Sequence, residues 1–216
     1  MEVKTPENTV DDGKILDENY IVAILDKLIK ENNIKAKDVI FTTNSSSIIN
    51  RDILIPSVAE EEIDTVVRYE IQQYLPINLN DYVIQYVFLE EILSENKETK
   101  LKINVTAFPE RMALSYYNVI NSLSLNPYIL DVNYNSINKL ANFGEFTLNN
   151  KNTIEGTVAF VDMGATSINV SILKSGKLDF TRMIKIGGNN IDYALSESMN
   201  MSIKSTEFIK MKEVDL

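Results

Sequence analysis

The chain has 216 residues, a formal net charge of −10 at pH 7, and neither cysteine nor histidine. Its length fits one large domain or two small ones. The missing residue types exclude thiol nucleophiles, disulfides, zinc sites built from cysteine and histidine, and serine–histidine–aspartate triads. The acidic charge argues against nucleic acid as a partner and against direct binding to an anionic membrane.

The N-terminal segment lacks the basic stretch and apolar run of a signal peptide. No window of the sequence is apolar over the length that a membrane-spanning helix needs. We therefore expect any membrane role to come through a partner, and the lack of cysteine fits a cytosolic protein.

The first quarter of the chain predicts a hairpin, a helix and two strands. Asp11-Asp12-Gly13 is typical of a tight hairpin turn. Apolar residues recur with a period of 3.6 over 20–32, which predicts an amphipathic helix. β-Branched and apolar residues predict strands over 39–43 and 48–55.

The next segment predicts a helix, two strands and a second helix. Ser57 and Glu60 form a capping-box pattern for a helix over 58–75 that ends at Pro76. Strands are predicted over 82–89 and 101–108, and Pro109 suits the first turn of a helix through 123.

A strand over 128–132 follows that helix, so a β-α-β unit with a parallel strand pair is predicted. A helix over 134–142 precedes a polar segment, 144–155, which is the best candidate for a domain boundary. Beyond it the sequence predicts a buried strand over 157–161, a hairpin of strands 168–173 and 178–186, a helix over 190–199 and the start of one more.

The segment 158–191 has the residue types of a nucleotide site. Gly164 lets backbone N–H groups approach a phosphate, and the hydroxyls of Thr166 and Ser167 add donors. Asp162 suits a Mg²⁺ ion held through water. Taken alone, an Asp-x-Gly or Gly-Gly sequence is more often a plain turn. The candidate contacts are Asp162, Gly164, Ala165, Thr166, Ser167, Gly187, Gly188 and Asn189.

Several stretches carry a family resemblance. Val161–Val170 resembles the second phosphate loop of the actin/FtsA superfamily, and Ile186–Ile191 resembles the segment that follows it. Three more stretches are similar to the PilM family of type IV pilus assembly proteins. They are Thr5-Pro6 with Asp12-Gly13-Lys14-Ile15, Val67-Arg68-Tyr69-Glu70 with Gln73-Tyr74-Leu75-Pro76, and Ile129-Leu130-Asp131-Val132.

The resemblance implies a mixed α/β fold of the actin-like, ribonuclease H-like class with an inserted αββ subdomain. It implies part of subdomain 1A over 1–55 and the inserted subdomain 1C over 56–127. The chain would return to subdomain 1A and continue into the linker over 128–150. The second half of the fold, which includes the phosphate-2 hairpin, would begin over 151–216.

Departures from the superfamily pattern limit the expected chemistry. The chain starts beyond the first phosphate loop and ends before the glycine motif that binds adenosine. Asn133 stands where many relatives place an acidic residue or glutamine, and an amide is no general base. We expect a remnant ATP and Mg²⁺ site, no catalytic residue and no hydrolysis.

The resemblance implies that the protein acts as a scaffold. Members of the family hold the N-terminal tail of the membrane protein PilN in a groove and connect it to the motor ATPases. Helix 58–75 with strands 82–89 and 101–108 would form one groove wall. Tyrosines in this region serve either as peptide contacts or as core residues: Tyr69, Tyr74, Tyr82, Tyr86, Tyr116 and Tyr117. Open sheet edges in a partial actin fold predict self-association.

Three alternatives stay open at this point. An actin-fold small-molecule kinase or ATPase would need Asp131 as its catalytic aspartate. The others are an FtsA-like polymer and a scaffold of the GspL kind from type II secretion.

The charged runs are interpreted as structural. Glu60–Glu62 is interpreted as the start of a helix, and Glu90-Glu91 as a solvated segment after a strand. Lys204, Lys210 and Lys212 are interpreted as a solvated helix face.

Overall fold

The structure is a computed structural model that describes residues 3–74, 77–93, 98–143 and 156–213. The chain divides into two compact units, Met1–Val132 and Asn133–Leu216. The predicted linker 144–155 lies outside the described residues, as does Pro76.

The first unit begins with a small hairpin, and its elements continue to the end of the seventh strand. In chain order they are β1 (Val10–Asp11), β2 (Lys14–Ile15), α1 (Glu18–Glu31), β3 (Asp38–Thr43), β4 (Ile49–Pro56), α2 (Ile63–Tyr74), β5 (Tyr82–Leu93), β6 (Thr99–Pro109), α3 (Glu110–Ser122) and β7 (Asn126–Val132). The second unit contains α4 (Asn133–Ala141), β8 (Thr157–Met163), β9 (Ile168–Lys174), β10 (Lys177–Ile184), α5 (Gly188–Met199) and α6 (Ile203–Glu213).

The hairpin and first helix confirm the sequence signals. Asp12 and Gly13 both have positive φ, 45° and 73°, as a two-residue turn between antiparallel strands requires. Helix α1 starts two residues earlier than predicted because the Asp17 side chain accepts a hydrogen bond from the Tyr20 backbone N–H at 2.9 Å.

The parallel strand pair exists, but its predicted partner is wrong. β7 pairs in parallel with β3, from Asp38 opposite Asn126 to Thr43 opposite Val132. Strand β6 is unavailable because it is the central strand of another sheet, with β4 and β5 antiparallel on its two sides. Helix α3 packs against β7 and α1, and so connects the two sheets.

Helix α2 covers one face of the β4-β6-β5 sheet and closes a hydrophobic core there. Ile55, Ile103 and Val67 are almost fully buried within it. Removing a large apolar side chain from such a core costs about 2–5 kcal/mol. This core fixes the relative position of α2 and β4, which later matters for the groove between them.

The predicted capping box is wrong. A short 3₁₀ turn over Glu60–Glu62 precedes α2, which begins only at Ile63. Ser57 does not cap the helix; its backbone N–H donates to the Thr99 carbonyl at 3.2 Å. Ser57 is therefore held by strand pairing at the end of β4 and does not begin the helix.

Strand β5 is longer than predicted and contains the second acidic run. A bulge between Phe88 and Glu90 shifts the register, and the strand continues to Leu93. Glu90 lies opposite Lys102, with 3.7 Å between carboxylate oxygen and ammonium nitrogen. Both acidic side chains are exposed, as expected, but within the strand.

In the second unit, β8, β9 and β10 form an antiparallel sheet in the order β10-β9-β8. Ser175 and Gly176 have positive φ, which confirms the tight turn between β9 and β10. The expectation of a buried strand before Asp162 is wrong: Val161 and Met163 are 57% and 77% exposed. β8 is an edge strand, and α4 covers only its other face.

Candidate functional site

The Asp162 carboxylate is held by two amides at the end of β8. Its Oδ2 accepts hydrogen bonds from Nδ2 of Asn133 at 3.1 Å and from Nδ2 of Asn169 at 3.4 Å. Asn133 begins α4, and Asn169 lies directly opposite Asp162 on β9. The two amide donors orient the carboxylate. The sequence analysis missed Asn169, because its proximity to Asp162 depends on the pairing of β8 with β9.

The loop after β8 is closed by a backbone bond and exposes hydroxyls. The Gly164 N–H donates to the Ser167 carbonyl at 2.9 Å, which makes a tight turn into β9. Thr166 is exposed, and its hydroxyl and that of Ser167 make no hydrogen bond within the described part of the chain. These two hydroxyls remain available to an anionic ligand.

The start of α5 is hydrogen-bonded to this loop. The Gly188 N–H donates to the Gly164 carbonyl at 3.0 Å, and the Asn189 N–H donates to the Ala165 carbonyl at 2.8 Å. The two segments predicted to line a nucleotide site are therefore brought together. The same contacts occupy donors that a helix N-terminus otherwise offers to phosphate.

Gly187 allows the close approach between these segments. A Cβ built on Gly187 would lie 2.5 Å from the Ala165 carbonyl oxygen, well inside contact distance. Its own N–H donates to Oδ1 of Asn190 at 2.9 Å, and the Asn190 N–H donates back to the Gly187 carbonyl at 3.0 Å. This reciprocal pair caps α5 without a ligand.

A buried ion pair lies behind the helix start. Asp192 is only 4% exposed, and its Oδ1 is 2.6 Å from Nζ of Lys210 on α6. The same ammonium group donates to the Gly188 carbonyl at 3.4 Å. The interpretation of Lys210 as a solvated residue is therefore wrong, whereas Lys204 and Lys212 are exposed. Nothing local in the sequence identifies this contact, since it depends on how α5 and α6 pack.

No cluster of three or more carboxylates that could hold a metal ion occurs in the described ranges. Asp162 is the carboxylate that the sequence predicts to hold Mg²⁺, and the other ligands would have to be water and ligand oxygens, as is usual for Mg²⁺. The kinase candidate Asp131 accepts a hydrogen bond at Oδ1 from the Val132 N–H at 2.8 Å.

A second candidate site is a shallow apolar groove in the first unit. Its floor is one face of β4 and β6, where Ile49 lies opposite Ala107 and Arg51 opposite Val105. Helix α2 forms the wall. The lining residues are Ile49, Arg51, Ile53, Ile71, Tyr74, Val105 and Ala107. Sequence reasoning placed α2 and β6 in a groove wall but missed β4, although Ile49, Arg51 and Ile53 alternate as one strand face.

The six candidate tyrosines fall into two groups. Tyr69, Tyr74 and Tyr117 are exposed, and Tyr74 lies at the groove. Tyr82 and Tyr86 pack against the hydrophobic core, as the core interpretation predicts.

Tyr116 belongs with the packed group and holds the N-terminal hairpin. Its hydroxyl donates to the Gly13 carbonyl at 2.7 Å and lies 2.9 Å from Oγ1 of Thr43. Its ring meets that of Phe41 edge to face, with centroids 5.1 Å apart. Burial raises the pKa of the Tyr116 hydroxyl, and the hydrogen bond with Thr43 partly offsets this.

No helix in the described ranges is long and apolar enough to cross a membrane.

Comparison with known proteins identifies the family. The profile described as type IV pilus assembly protein PilM matches residues 1–214. Among solved structures, the PilM–PilN type IV pilus biogenesis complex superposes with a TM-score of 0.78 at 19% identity, covering 96% of this chain and 60% of that chain. The chain thus spans less than two thirds of the matched protein.

Two further matches are more distant. MreB5 of Spiroplasma citri bound to ADP gives a TM-score of 0.49 at 14% identity, covering 96% of this chain and 46% of that one. The cytoplasmic domain of EpsL, from the type II secretion system of Vibrio cholerae, gives 0.46 at 12% identity, covering 84% and 63%. The predicted mixed α/β fold and the resemblance to PilM are confirmed. The chain belongs to the family of the type IV pilus assembly protein PilM.

Proposed function

We propose that this chain is a scaffold of the type IV pilus assembly platform and that its apolar groove binds the N-terminal tail of a PilN-like membrane protein. The observation that carries the proposal is the groove between α2 and the face of β4 and β6. A complex of PilM with PilN is the source of the structure that superposes with a TM-score of 0.78.

The groove has two features that suit an extended peptide. Its lining is aliphatic apart from Arg51 and Tyr74, so an apolar side chain laid against it loses contact with water. Full burial of such a side chain contributes about 1.5–3 kcal/mol, which is an upper limit for a shallow groove. Strand β4 is also at the edge of its sheet, so its outer backbone groups can pair with an added strand. An aliphatic anchor with main-chain pairing is a common mode of peptide recognition.

Nucleotide binding is the weaker part of the proposal. Asp162, Gly164, Thr166 and Ser167 would contact ATP with Mg²⁺, but the first N–H groups of α5 already bond to Gly164, Ala165 and Asn190. A phosphate must displace these contacts or use the loop hydroxyls alone. We therefore propose a remnant or weak site, without a catalytic base and without hydrolysis.

Several features of the proposal rest on the family alone. They are a position on the cytoplasmic side of the inner membrane through the PilN-like partner, contact with pilus motor ATPases, and the subdomain scheme of 1–55, 56–127, 128–150 and 151–216. Self-association also stays a prediction. Since β8 pairs only with β9 in the described ranges, its outer edge is open to a further strand.

A pair of tyrosine variants on one helix tests the groove. Tyr74 is at the groove and Tyr69 is not, and both are exposed, so neither substitution removes core packing. We expect Tyr74→Ala to weaken binding of a PilN-type N-terminal peptide about tenfold, because buried tyrosines are frequent interface hot spots. Tyr69→Ala should bind like the unmodified chain in fluorescence anisotropy. Equal affinities for the two variants would rule the groove out.

A further inference from the structure

The turn of the N-terminal hairpin is fastened to two segments that are distant in the chain. The Asp12 carboxylate accepts hydrogen bonds from the Ser46 backbone N–H at 2.9 Å and from the Ser46 hydroxyl. The Gly13 carbonyl accepts a hydrogen bond from the Tyr116 hydroxyl on α3 at 2.7 Å. We call this set of contacts the hairpin clasp and define it by Asp12, Gly13, Ser46 and Tyr116.

The connection between β3 and β4 is a compact turn, and the hairpin clasp holds its middle at Ser46. Within the turn, the Ser47 N–H donates to Oγ of Ser45 at 3.1 Å, and the Ile48 N–H donates to the Ser45 carbonyl at 3.2 Å. Ser45 itself is buried. Because the turn is hydrogen-bonded within itself, a shift of Ser46 is transmitted to Ile49, where β4 begins.

Ile49 is the first residue of β4 and forms one end of the groove. It lies opposite Ala107 of β6, and both residues line the groove. β4 is at the edge of its sheet, so in the described ranges it pairs with β6 alone. The end of a strand that is paired on one side opens more easily than its middle. The hairpin clasp therefore provides a second restraint at the place where this pairing begins.

We propose that the hairpin clasp holds the Ile49 end of the groove in its binding conformation, with Asp12 and Ser46 as positioning residues. The inference rests on the proposed function, since it concerns the same groove and the same peptide. Its physical basis is preorganisation, because a strand end that is ordered before binding loses less conformational freedom on binding. Asp12 suits this position because its carboxylate accepts both hydrogen bonds at once and aspartate tolerates its φ of 45°.

Variants of Asp12 test the role of the clasp. Glycine adopts a positive φ readily, so Asp12→Gly removes both hydrogen bonds to Ser46 without straining the turn. Asp12→Asn keeps an oxygen that accepts from the Ser46 N–H and gains an amide that donates to the hydroxyl. We expect Asp12→Gly to weaken binding of a PilN-type N-terminal peptide about fivefold, and Asp12→Asn to retain most of the affinity. Asp11→Asn, at the exposed neighbouring position, should bind like the unmodified chain.

Two further measurements separate positioning from general stability. Urea unfolding identifies conditions in which every variant is folded, and in these a loss of stability alone leaves the peptide affinity unchanged. Amides of residues 48–50 should exchange faster in Asp12→Gly than in Asp12→Asn, because the end of β4 opens more often. Ser46→Ala should weaken binding less than Asp12→Gly, since the backbone hydrogen bond remains. The double variant should bind no more weakly than Asp12→Gly alone, because the contact is already lost.

The outcomes distinguish this inference from the proposed function. Equal peptide affinity of Asp12→Gly and the unmodified chain would overturn the inference and leave the proposed function standing, even if exchange became faster. Additive losses of affinity in the double variant would also overturn it, since Asp12 and Ser46 would then act independently. If the unmodified chain does not bind the peptide, the proposed function fails and this inference fails with it.

Discussion

Replacing Lys210 tests how the second unit holds the start of α5. In Lys210→Met, the Asp192 carboxylate keeps its buried position but loses the ammonium group 2.6 Å away. Removing one member of a buried ion pair costs about 3–5 kcal/mol. The Lys210 side chain is 27% exposed, so water partly replaces it. We therefore expect a loss of about 2–3 kcal/mol, at or below the lower end of that range.

Hydrogen exchange measures this loss locally. Amides of α5 and α6 should exchange faster in Lys210→Met by the factor that corresponds to the lost free energy, because exchange of core amides reports the opening equilibrium. Asp192→Asn combined with Lys210→Met should recover most of the stability, since no buried charge remains unpaired. Lys204→Met, on the exposed side of the same helix, should change stability by less than about 0.5 kcal/mol.

Two outcomes would refute this reasoning. One is a Lys210→Met variant whose α5 and α6 amides exchange as in the unmodified chain. The other is a double variant that is less stable than the single variant, because the lysine would then act through its packing and not through the buried carboxylate.

Three further predictions concern the hairpin and the loop. Gly13→Ala should destabilise the first unit by at least about 2 kcal/mol in urea unfolding, because φ is +73° and the new Cβ would lie 2.2 Å from the Asn44 carbonyl oxygen. Gly187→Ala should speed exchange of the α5 N-terminal amides, since its Cβ would lie 2.5 Å from the Ala165 oxygen; unchanged exchange would contradict the close approach. Folding raises the pKa of the Tyr116 hydroxyl above its ordinary value of 10.0. This shift stabilises the folded chain below about pH 10, and the stabilisation is lost as the pH rises through the folded-state pKa. Tyr116→Phe should therefore lose less stability between about pH 9 and about pH 11 than the unmodified chain.

Local patterns predicted the local structure well. The turn at Asp12-Gly13 and the period of α1 depend on neighbouring residues, and both are confirmed. The parallel partner of β7 could not be read in the same way, because choosing β3 over β6 depends on β6 already being paired on both sides. The capping box failed because Ser57 bonds to a residue more than forty positions away in the chain.

The candidate sites show the same division between local and distant contacts. The family resemblance located the loop at Asp162 and the glycines at α5, which the structure brings together. The Lys210–Asp192 pair and the part played by β4 in the groove arise from packing between elements, for which the sequence carries no local signal. The apolar run of β8 indicates strand propensity, but it does not tell which face has a neighbour.

The central claim is that the chain binds a peptide and hardly binds nucleotide. Calorimetric titration of one preparation, first with a PilN-type N-terminal peptide and then with ATP and Mg²⁺, tests it directly. The account predicts saturable binding of the peptide and little or no heat from the nucleotide. Micromolar binding of ATP with no binding of the peptide would contradict it.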